Sequence, residues 1–240
     1  MSDKKTALIT GANKGLGYEI SAGLAARGYR VAVGARDRAR GEAAVKTLRE
    51  AGADAFAVPL DVTSDRSVTE AAAGLDRLDV LVNNAGISGD TGPGWEQDPT
   101  TLDLDIVRQV VDTNVYGVIR VTNAMLPLLR RSPSPRIVNV SSSVASLTWQ
   151  SDPAVEVGPI MAAYSPTKTY LNAITVHYAR RLADTNILIN AACPGLVATD
   201  FTGYTGRPVP EAAATPIRLA TLPDDGPTGT FTNDDGVIPW

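Results

Sequence analysis

Apolar residues along this chain gather in short, nearly continuous runs, and between the runs they recur at the three- and four-residue spacing of amphipathic helices. Six runs, at 6–9, 30–33, 55–58, 80–83, 136–140 and 187–191, have the length of strands and lack the polar alternation of a sheet with one wet face. They predict strands buried on both sides. The segments between them predict helices over 16–26, 38–50, 64–75, 102–129, 162–182 and 211–220. Thr63-Ser64 suits a helix start, and Pro133 and Pro135 close the long fourth helix. A seventh strand fits 229–232, inside a tail rich in Gly, Pro and Asp. Strand and helix alternate without repeat or linker. The expectation is a single α/β domain over 1–240, a doubly wound parallel sheet of six to seven strands between two helical layers.

Composition narrows the function. A chain of 240 residues, 44% of them hydrophobic, is long enough to bury a large core. A net charge of −4 without any Lys/Arg cluster argues against a nucleic-acid surface. No run approaches the ~18 apolar residues of a membrane span. The apolar stretch after Met1–Lys5 is too brief for a secretory leader, so a soluble, cytoplasmic protein is expected, with neither nucleic acid nor membrane as partner. One cysteine, Cys193, allows no intrachain disulfide, and one histidine, His177, allows no ordinary Cys/His zinc site, so no metal is expected.

In an open parallel sheet, ligands bind beyond the carboxyl ends of the strands. The first strand runs into Thr10-Gly11-Ala12-Asn13-Lys14-Gly15-Leu16-Gly17 and then a helix. Glycines there let the backbone turn tightly and bring a pyrophosphate against the free N–H groups of the helix start. The Gly-x-x-x-Gly-x-Gly spacing is a variant of the dinucleotide fingerprint, and it lacks the Gly-Lys-Ser/Thr ending of a P-loop. About 20 residues further on, where a carboxylate would select a ribose 2′-hydroxyl, the chain reads Gly34-Ala35-Arg36-Asp37. The Arg36 guanidinium, with Lys14 as a second cation, suits a 2′-phosphate, so NADP(H) is expected over NAD(H). The alternative is a surface arginine paired with Asp37. Asp61-Val62 follows the third strand, Asn83-Asn84-Ala85-Gly86 the fourth, Ser141-Ser142-Ser143 the fifth and Pro194-Gly195 the sixth. Each has a plain alternative: Asp61 as a helix cap, the asparagines as turn formers, the serines as a loop. Coincidence at four strand ends favours one shared site.

Tyr164-Ser165-Pro166-Thr167-Lys168 carries the chemistry. On a helix, residues i and i+4 share a face, which puts a phenol beside an ammonium. A nearby cation favours the phenolate, so Lys168 is expected to pull the Tyr164 pKa down towards neutrality. Such a phenol gives a proton to, or takes one from, a carbonyl or alcohol oxygen.

With these residues in place the chain resembles the short-chain dehydrogenase/reductase family, and within it the carbonyl-reductase-like members, along essentially its whole length. The resemblance is carried by Thr10 to Gly17, Asp61-Val62, Asn83 to Gly86, Asn114 in Val111-Asp112-Thr113-Asn114, Ser142 in Val138-Asn139-Val140-Ser141-Ser142, Tyr164-x-x-x-Lys168 and Pro194 to Thr199. It implies a Rossmann-type fold and a catalytic set of Asn114, Ser142, Tyr164 and Lys168. Tyr164 would be the acid in carbonyl reduction and the base in alcohol oxidation, and Ser142 would hold the substrate oxygen. Lys168 would lower the Tyr164 pKa and bind the nicotinamide ribose, while Asn114 would position Lys168 and a relay water. For the cofactor it implies Gly11, Gly15 and Gly17 at the pyrophosphate, Asp61 at the adenine and Asn83 near the adjacent ribose. Pro194, Gly195, Val197 and Thr199 would surround the carboxamide, with Asn13, Leu16, Val62, Ala85 and Gly86 as neighbouring contacts. The choice of Ser142 over Ser141 or Ser143 rests on counting from Asn139.

Two departures from the family pattern bear on the pocket. The 22-residue step from Ser142 to Tyr164 exceeds that of most relatives. The added segment reads either as pocket wall, with Trp149 and Met161 its apolar contacts, or as a surface loop. In many relatives the helix beginning at the tyrosine also forms a subunit interface, so homo-oligomer and monomer both stay open. The segment 200–210 is short where relatives often carry a longer lid, so an open pocket bounded by Trp95, Phe201 and Tyr204 is expected, built from elements near 87–101, 143–162 and 196–212. The open pocket is expected to admit bulky or varied ketones, and the expected function is NADPH-dependent reduction of an apolar, neutral aldehyde or ketone, reversible as an alcohol dehydrogenase. One alternative is an NAD(P)-dependent dehydrogenase working in oxidation. Another is an NADP-sensing protein without chemistry, which the presence of all four catalytic residue types disfavours. Gly86-Ile87-Ser88-Gly89-Asp90 misses the Gly-x-Ser-x-Gly of a serine hydrolase.

Overall fold

The apolar runs pair side by side, and a short seventh strand extends the sheet at one edge. The computed structural model describes residues 4–89 and 95–240. The strands are β1 (Thr6–Thr10), β2 (Arg30–Ala35), β3 (Ala55–Pro59), β4 (Val80–Asn83), β5 (Arg136–Val140), β6 (Leu188–Ala192) and β7 (Phe231–Thr232). They run in the order β3-β2-β1-β4-β5-β6-β7 with every neighbouring pair parallel. The order reverses between β1 and β4, which opens a crevice beyond their carboxyl ends.

Helices cover both faces: α1 (Gly15–Ala25), α2 (Arg38–Glu50), α3 (Asp65–Ala73), α4 (Leu104–Val111), α5 (Gly117–Leu129), α6 (Leu147–Ser151), α7 (Tyr164–Arg181), α8 (Val209–Ala212) and α9 (Ala214–Ala220). On β1, Ala7 and Ile9 pack with Ile20 and Leu24 of α1, Leu48 of α2 and Ile217 of α9. Leu8 packs on the other face with Val68 of α3 and with Val121, Met125 and Leu129 of α5. This period-two split is why the strands read as unbroken apolar runs. No helix among the described residues is long and apolar enough to cross a membrane.

Three elements differ from the sequence expectation. The long helix expected over 102–129 is two helices joined by a π-helical turn, Asp112–Tyr116. Such a turn inserts one residue into the helix and re-aims the side chains on it, and it leaves the apolar periodicity on either side intact. The helix expected over 211–220 is divided into α8 and α9. The segment after Ser142 forms a 3₁₀ turn, Ser143–Ala145, and then α6.

At the amino edge of the sheet, Asp79 is fully buried. Its carboxylate accepts from the Thr6 N–H (2.7 Å), the Ser132 hydroxyl (2.7 Å) and Arg77 Nε (2.7 Å), tying β1 and β4 to the turn after α5. Burial pushes the carboxyl pKa up, but the bonds from Arg77, Ser132 and Thr6 outweigh it and hold the pKa below its ordinary value. A lowered native pKa contributes stability above the unfolded-state value, ~3.9, that is lost as pH falls through the native one. Asp79→Ala is expected to lower unfolding stability at pH 7 by roughly 2–4 kcal/mol. Urea unfolding of both proteins from pH 7 down to pH 2 checks it: the gap should narrow in acid, and a pH-independent gap would contradict it.

Candidate active site

β1 ends at Thr10, whose hydroxyl accepts from the backbone N–H groups of Asn84 and Ala85 (3.0 Å each). The Asn84 amide donates back to the carbonyls of Thr10 (2.9 Å) and Gly11 (3.3 Å). The ends of β1 and β4 are thereby stitched together, and the turn between β1 and α1 is held against the fourth strand. Gly11 (φ +65°) and Gly15 (φ +55°) both take the left-handed conformation. A Cβ on Gly11 would lie 3.0 Å from Ala85 Cα. α1 starts after Lys14 with no side-chain cap, so its first N–H groups face the crevice end of the sheet without a side-chain acceptor.

The expected cofactor residues fall into different situations. Arg36 is exposed at the end of β2 and has no acceptor among the described residues. It does not pair with Asp37, which caps α2 by accepting from the Arg40 N–H (3.0 Å) and pairs with the Arg40 guanidinium (3.4 Å). Lys14, expected as a second cation for phosphate, is paired instead with Asp200, because the segment after β6 folds back over the glycine turn. Thr199 Cγ2 would stand 3.2 Å from a Cβ on Gly15. Asp61 accepts from the Thr63 N–H (3.0 Å) and hydroxyl (2.7 Å) through one oxygen, and Ser64, not Asp61, caps α3. Val62 is buried beside it. Asn83, expected beside a ribose, is a correction: its amide donates to the Thr122 hydroxyl (3.0 Å) and to Asn139 Oδ1 (2.9 Å). Asn83 and Asn139 are register partners on β4 and β5, which puts both side chains on the same inner face.

The four expected catalytic residues come together at the same edge. Of the three serines after β5, Ser141 is buried and donates to Asn172 Oδ1 (2.8 Å), and Ser143 lies beside the Cys193 thiol, where it counters part of the rise in the thiol pKa. Ser142 lies beside the Tyr164 hydroxyl, close enough to counter part of the rise in the phenol pKa. Tyr164 opens α7, and Lys168 one turn on sits 5.5 Å from the Tyr164 ring centroid with its ammonium donating to the Val140 carbonyl (2.8 Å). Asn114 rides on the π-helical turn, accepts from the Ile87 N–H (2.9 Å), and donates to the Ile87 carbonyl (2.9 Å) and the Thr167 hydroxyl (3.1 Å). It fixes the segment after β4 to α7 and makes no hydrogen bond to Lys168. Gly86 lies where the groups meet: a Cβ there would be 3.3 Å from Asn114 Oδ1 and 3.6 Å from Lys168 Nζ.

The expected electrostatics are reversed. Burial pushes the Tyr164 phenol up from its ordinary value, the neighbouring Cys193 adds to the rise, and Ser142 offsets only part of it. Burial also pushes the Lys168 ammonium down to about 8. The ammonium is directed at a backbone carbonyl, so desolvation outweighs its pull on the phenol.

The segment after β6 is a closed loop. Arg207 N–H donates to the Leu196 carbonyl (2.9 Å) and Ala198 N–H to the Arg207 carbonyl (2.9 Å), while the Arg207 side chain pairs with Asp234, which also takes the Thr215 hydroxyl. Gly206 (φ +120°) sits where a side chain would collide with the Leu196 carbonyl. Pro194, Gly195, Val197 and Thr199 lie on the inner stretch of this loop, with Val197 buried and paired to Arg207. Phe201 packs against Tyr164, ring centroids 5.6 Å apart, whereas Tyr204 is 76% exposed. Trp95 is half-buried with φ 70°, and residues 90–94 of the expected pocket element lie outside the described residues. The start of the added segment is anchored, Thr148 donating from its N–H (3.0 Å) and hydroxyl (2.7 Å) to the Trp240 carbonyl, while 151–154 and 158–160 are exposed. Trp149 packs against Ala145, Cys193, Phe231 and Ile238, and Met161 is buried with its backbone paired to Gln97. Sequence reasoning missed Thr10, Asn84 and Gln97 as site builders. The first two lie within motifs that it singled out, and Gln97 lies in none.

The family model for short chain dehydrogenase matches residues 5–208. Short-chain dehydrogenase/reductase 1 of Saponaria officinalis is 35% identical over 100% of this chain and 97% of its own length. Carbonyl reductase (NADPH) 1 of Rattus norvegicus is 34% identical over 100% of this chain and 99% of its own. Among solved structures, salutaridine reductase from Papaver somniferum superposes with a TM-score of 0.83 at 29% identity, covering 96% of this chain and 100% of that one. The Saponaria match runs over 296 positions against 240 residues here, so that relative carries segments which this chain lacks. With the family model covering most of the chain and these relatives matching it along nearly its whole length, the chain belongs to the short-chain dehydrogenase/reductase family of oxidoreductases and is carbonyl-reductase-like within it.

Proposed function

We propose that the chain is an NADP(H)-dependent reductase of apolar, neutral aldehydes and ketones, reversible towards the alcohol, with Tyr164 as its proton donor. The observation that carries this reading is the convergence of Ser142, Tyr164 and Lys168 at the sheet edge where the glycine turn also lies. The residues fit the dinucleotide: two left-handed glycines shape the turn, α1 begins without a side-chain cap, and the Arg36 guanidinium has no acceptor among the described residues. The N–H groups of α1 would hold the pyrophosphate, Arg36 the 2′-phosphate, and the Lys168 ammonium the ribose hydroxyls. The name of the rat relative, carbonyl reductase (NADPH) 1, agrees with that cofactor.

A bound nicotinamide dinucleotide supplies the hydride. Ser142 and Tyr164 hold the substrate oxygen between two hydroxyls, and Tyr164 releases its proton to that oxygen as charge develops there. A phenol whose pKa is raised by burial stays protonated at neutral pH, so the resting group is an acid. Phe201, lying on the Tyr164 ring, presents an apolar wall to the substrate.

Tyr164→Phe keeps the ring and deletes the proton, so kcat for ketone reduction should drop by about 10²–10⁴-fold, with NADPH affinity unchanged in a fluorescence titration. Near-normal turnover in that variant would remove the proposed donor. Arg36→Ala should erode the preference for NADPH over NADH, read as the ratio of kcat/KM values, by about tenfold or more. An unaltered ratio would reject Arg36 as the phosphate ligand. For reduction, kcat/KM should hold level at lower pH and decline as pH rises through about 8, where Lys168 loses its proton. The same shift predicts a stability effect. The native pKa lies below the unfolded value of 10.5, so the buried charge costs stability below about 8 and costs nothing above the unfolded value. Lys168→Met should therefore be inactive yet have a higher Tm than wild type at pH 7, a gain that shrinks towards pH 10. A lower Tm at pH 7 would contradict the burial cost.

A further inference from the structure

The catalytic helix begins without a cap of its own. Tyr164 is the first residue of α7, and Ala163 before it has helical backbone angles (φ −87°, ψ −38°) and no side-chain oxygen to offer. A helix start leaves its first N–H groups without partners inside the helix. Here two of those groups belong to Tyr164 and its neighbour. Gln97, 66 residues upstream of Ala163, takes both: its Oε1 accepts from the N–H groups of Ala163 (2.9 Å) and Tyr164 (3.3 Å). The Ser165 N–H donates to the Met161 carbonyl (2.8 Å), and Pro166 has no N–H. The donors from Ala163 to Pro166 are thus all accounted for, two of them by one distant side chain.

The other end of the same amide is also fixed. Gln97 Nε2 donates to the Ser88 carbonyl (2.9 Å), in the segment that leaves β4. The Gln97 backbone donates to the Ile160 carbonyl (2.7 Å) and accepts from the Ala162 N–H (3.3 Å). Gly89 (φ +81°) lets the segment lie this close: a Cβ there would stand 3.4 Å from Gln97 Nε2 and 2.7 Å from Ile106 Cγ2. Gln97 is buried, 4% exposed. An amide held in this way, oxygen to two N–H groups and nitrogen to a carbonyl, is satisfied in one orientation only.

We infer that Gln97 is a positioning residue for Tyr164: it caps the catalytic helix from a remote segment and braces that helix against the Ser88 carbonyl, fixing the phenol opposite Ser142. The inference rests on the reading of Tyr164 as proton donor. Loss of the Oε1 acceptor leaves two N–H groups unpaired at the very turn that carries the phenol, and a small displacement there falls on the proton-transfer distance. Among the described residues the hydrogen bonds of this brace involve neither the glycine turn nor Arg36, so the binding of the pyrophosphate and the 2′-phosphate should be little changed, and the loss should fall on kcat more than on the KM for NADPH.

Two variants separate the halves of the amide. Gln97→Met keeps length and burial and removes both acceptor and donor, whereas Gln97→Glu keeps an acceptor, suited to a helix start, and removes the donor to Ser88. Steady-state kinetics are paired with amide hydrogen exchange of a peptide spanning 161–168. Gln97→Met should lose about ten- to a hundredfold in kcat, with the KM for NADPH within about twofold of wild type and with faster exchange at the start of α7. Gln97→Glu should restore the slow exchange and most of kcat. Wild-type kcat and exchange in Gln97→Met would overturn the inference, as would a Gln97→Glu enzyme with fast exchange and low kcat. If Gln97→Met does not fold, Gln97→Ala, which also lacks the acceptor, is compared with wild type by the same criteria. A wild-type protein that reduced no aldehyde or ketone would sink the proposed reaction, and the exchange comparison would still uphold or overturn the brace.

Discussion

A sheet buried on both faces has to satisfy the polar groups at its strand ends without water, and the arrangement of this molecule follows from how that is done. At the point where the strand order reverses, one threonine hydroxyl and one asparagine amide close the account: Thr10 accepts two N–H groups of the β4 end, and Asn84 returns two bonds to the glycine turn. Next to them Asn83 and Asn139 link β4 to β5, and Asn139 donates onward to Thr175 of α7 (2.8 Å). The crevice is therefore walled by groups already committed to one another. At the same sheet edge stand Ser142, Tyr164 and Lys168, with Arg36 exposed at the end of β2, and these groups differ in chemistry.

The same burial sets the electrostatics. Tyr164 and Lys168 stand one helical turn apart, which on geometry alone favours an ion pair. Removal from water drives both towards their neutral forms instead. The lysine is held by a backbone carbonyl, a bond that fixes its orientation more than its charge. At neutral pH the phenol is thus kept protonated, and the buried ammonium carries a cost in folding free energy.

Much of this could be read from the chain. Five of the six expected strands lie within about two residues of β1 to β5 at either end, and β6 is displaced by a single position, because a strand covered on both faces leaves an uninterrupted apolar run. Residue type and spacing were enough to bring Ser142, Tyr164 and Lys168 to one edge. What escaped depends on quantities that a linear reading does not contain. The π-helical turn at Asp112–Tyr116 leaves no mark in the periodicity, and α6 is too short to show any. The direction of the Asn83 amide depends on its register against Asn139. The Lys14–Asp200 pair joins positions 186 apart, and Gln97 reaches the catalytic helix from a segment with no motif. The Tyr164 shift came out with the wrong sign because adjacency on a helix reveals attraction and conceals desolvation.

Gly206 settles where natural variation or an engineer has room to work. With φ +120° and the Leu196 carbonyl in the place of a side chain, that position admits little except glycine, and the paired backbone of Leu196, Ala198 and Arg207 anchors the base of the loop. Its tip is different: Phe201 and Tyr204 are exposed and carry none of those anchoring bonds through their side chains. Libraries aimed at altering which molecules this enzyme accepts should therefore randomise the tip and leave the hinge glycine alone, since diversity at 206 would be spent on misfolded protein.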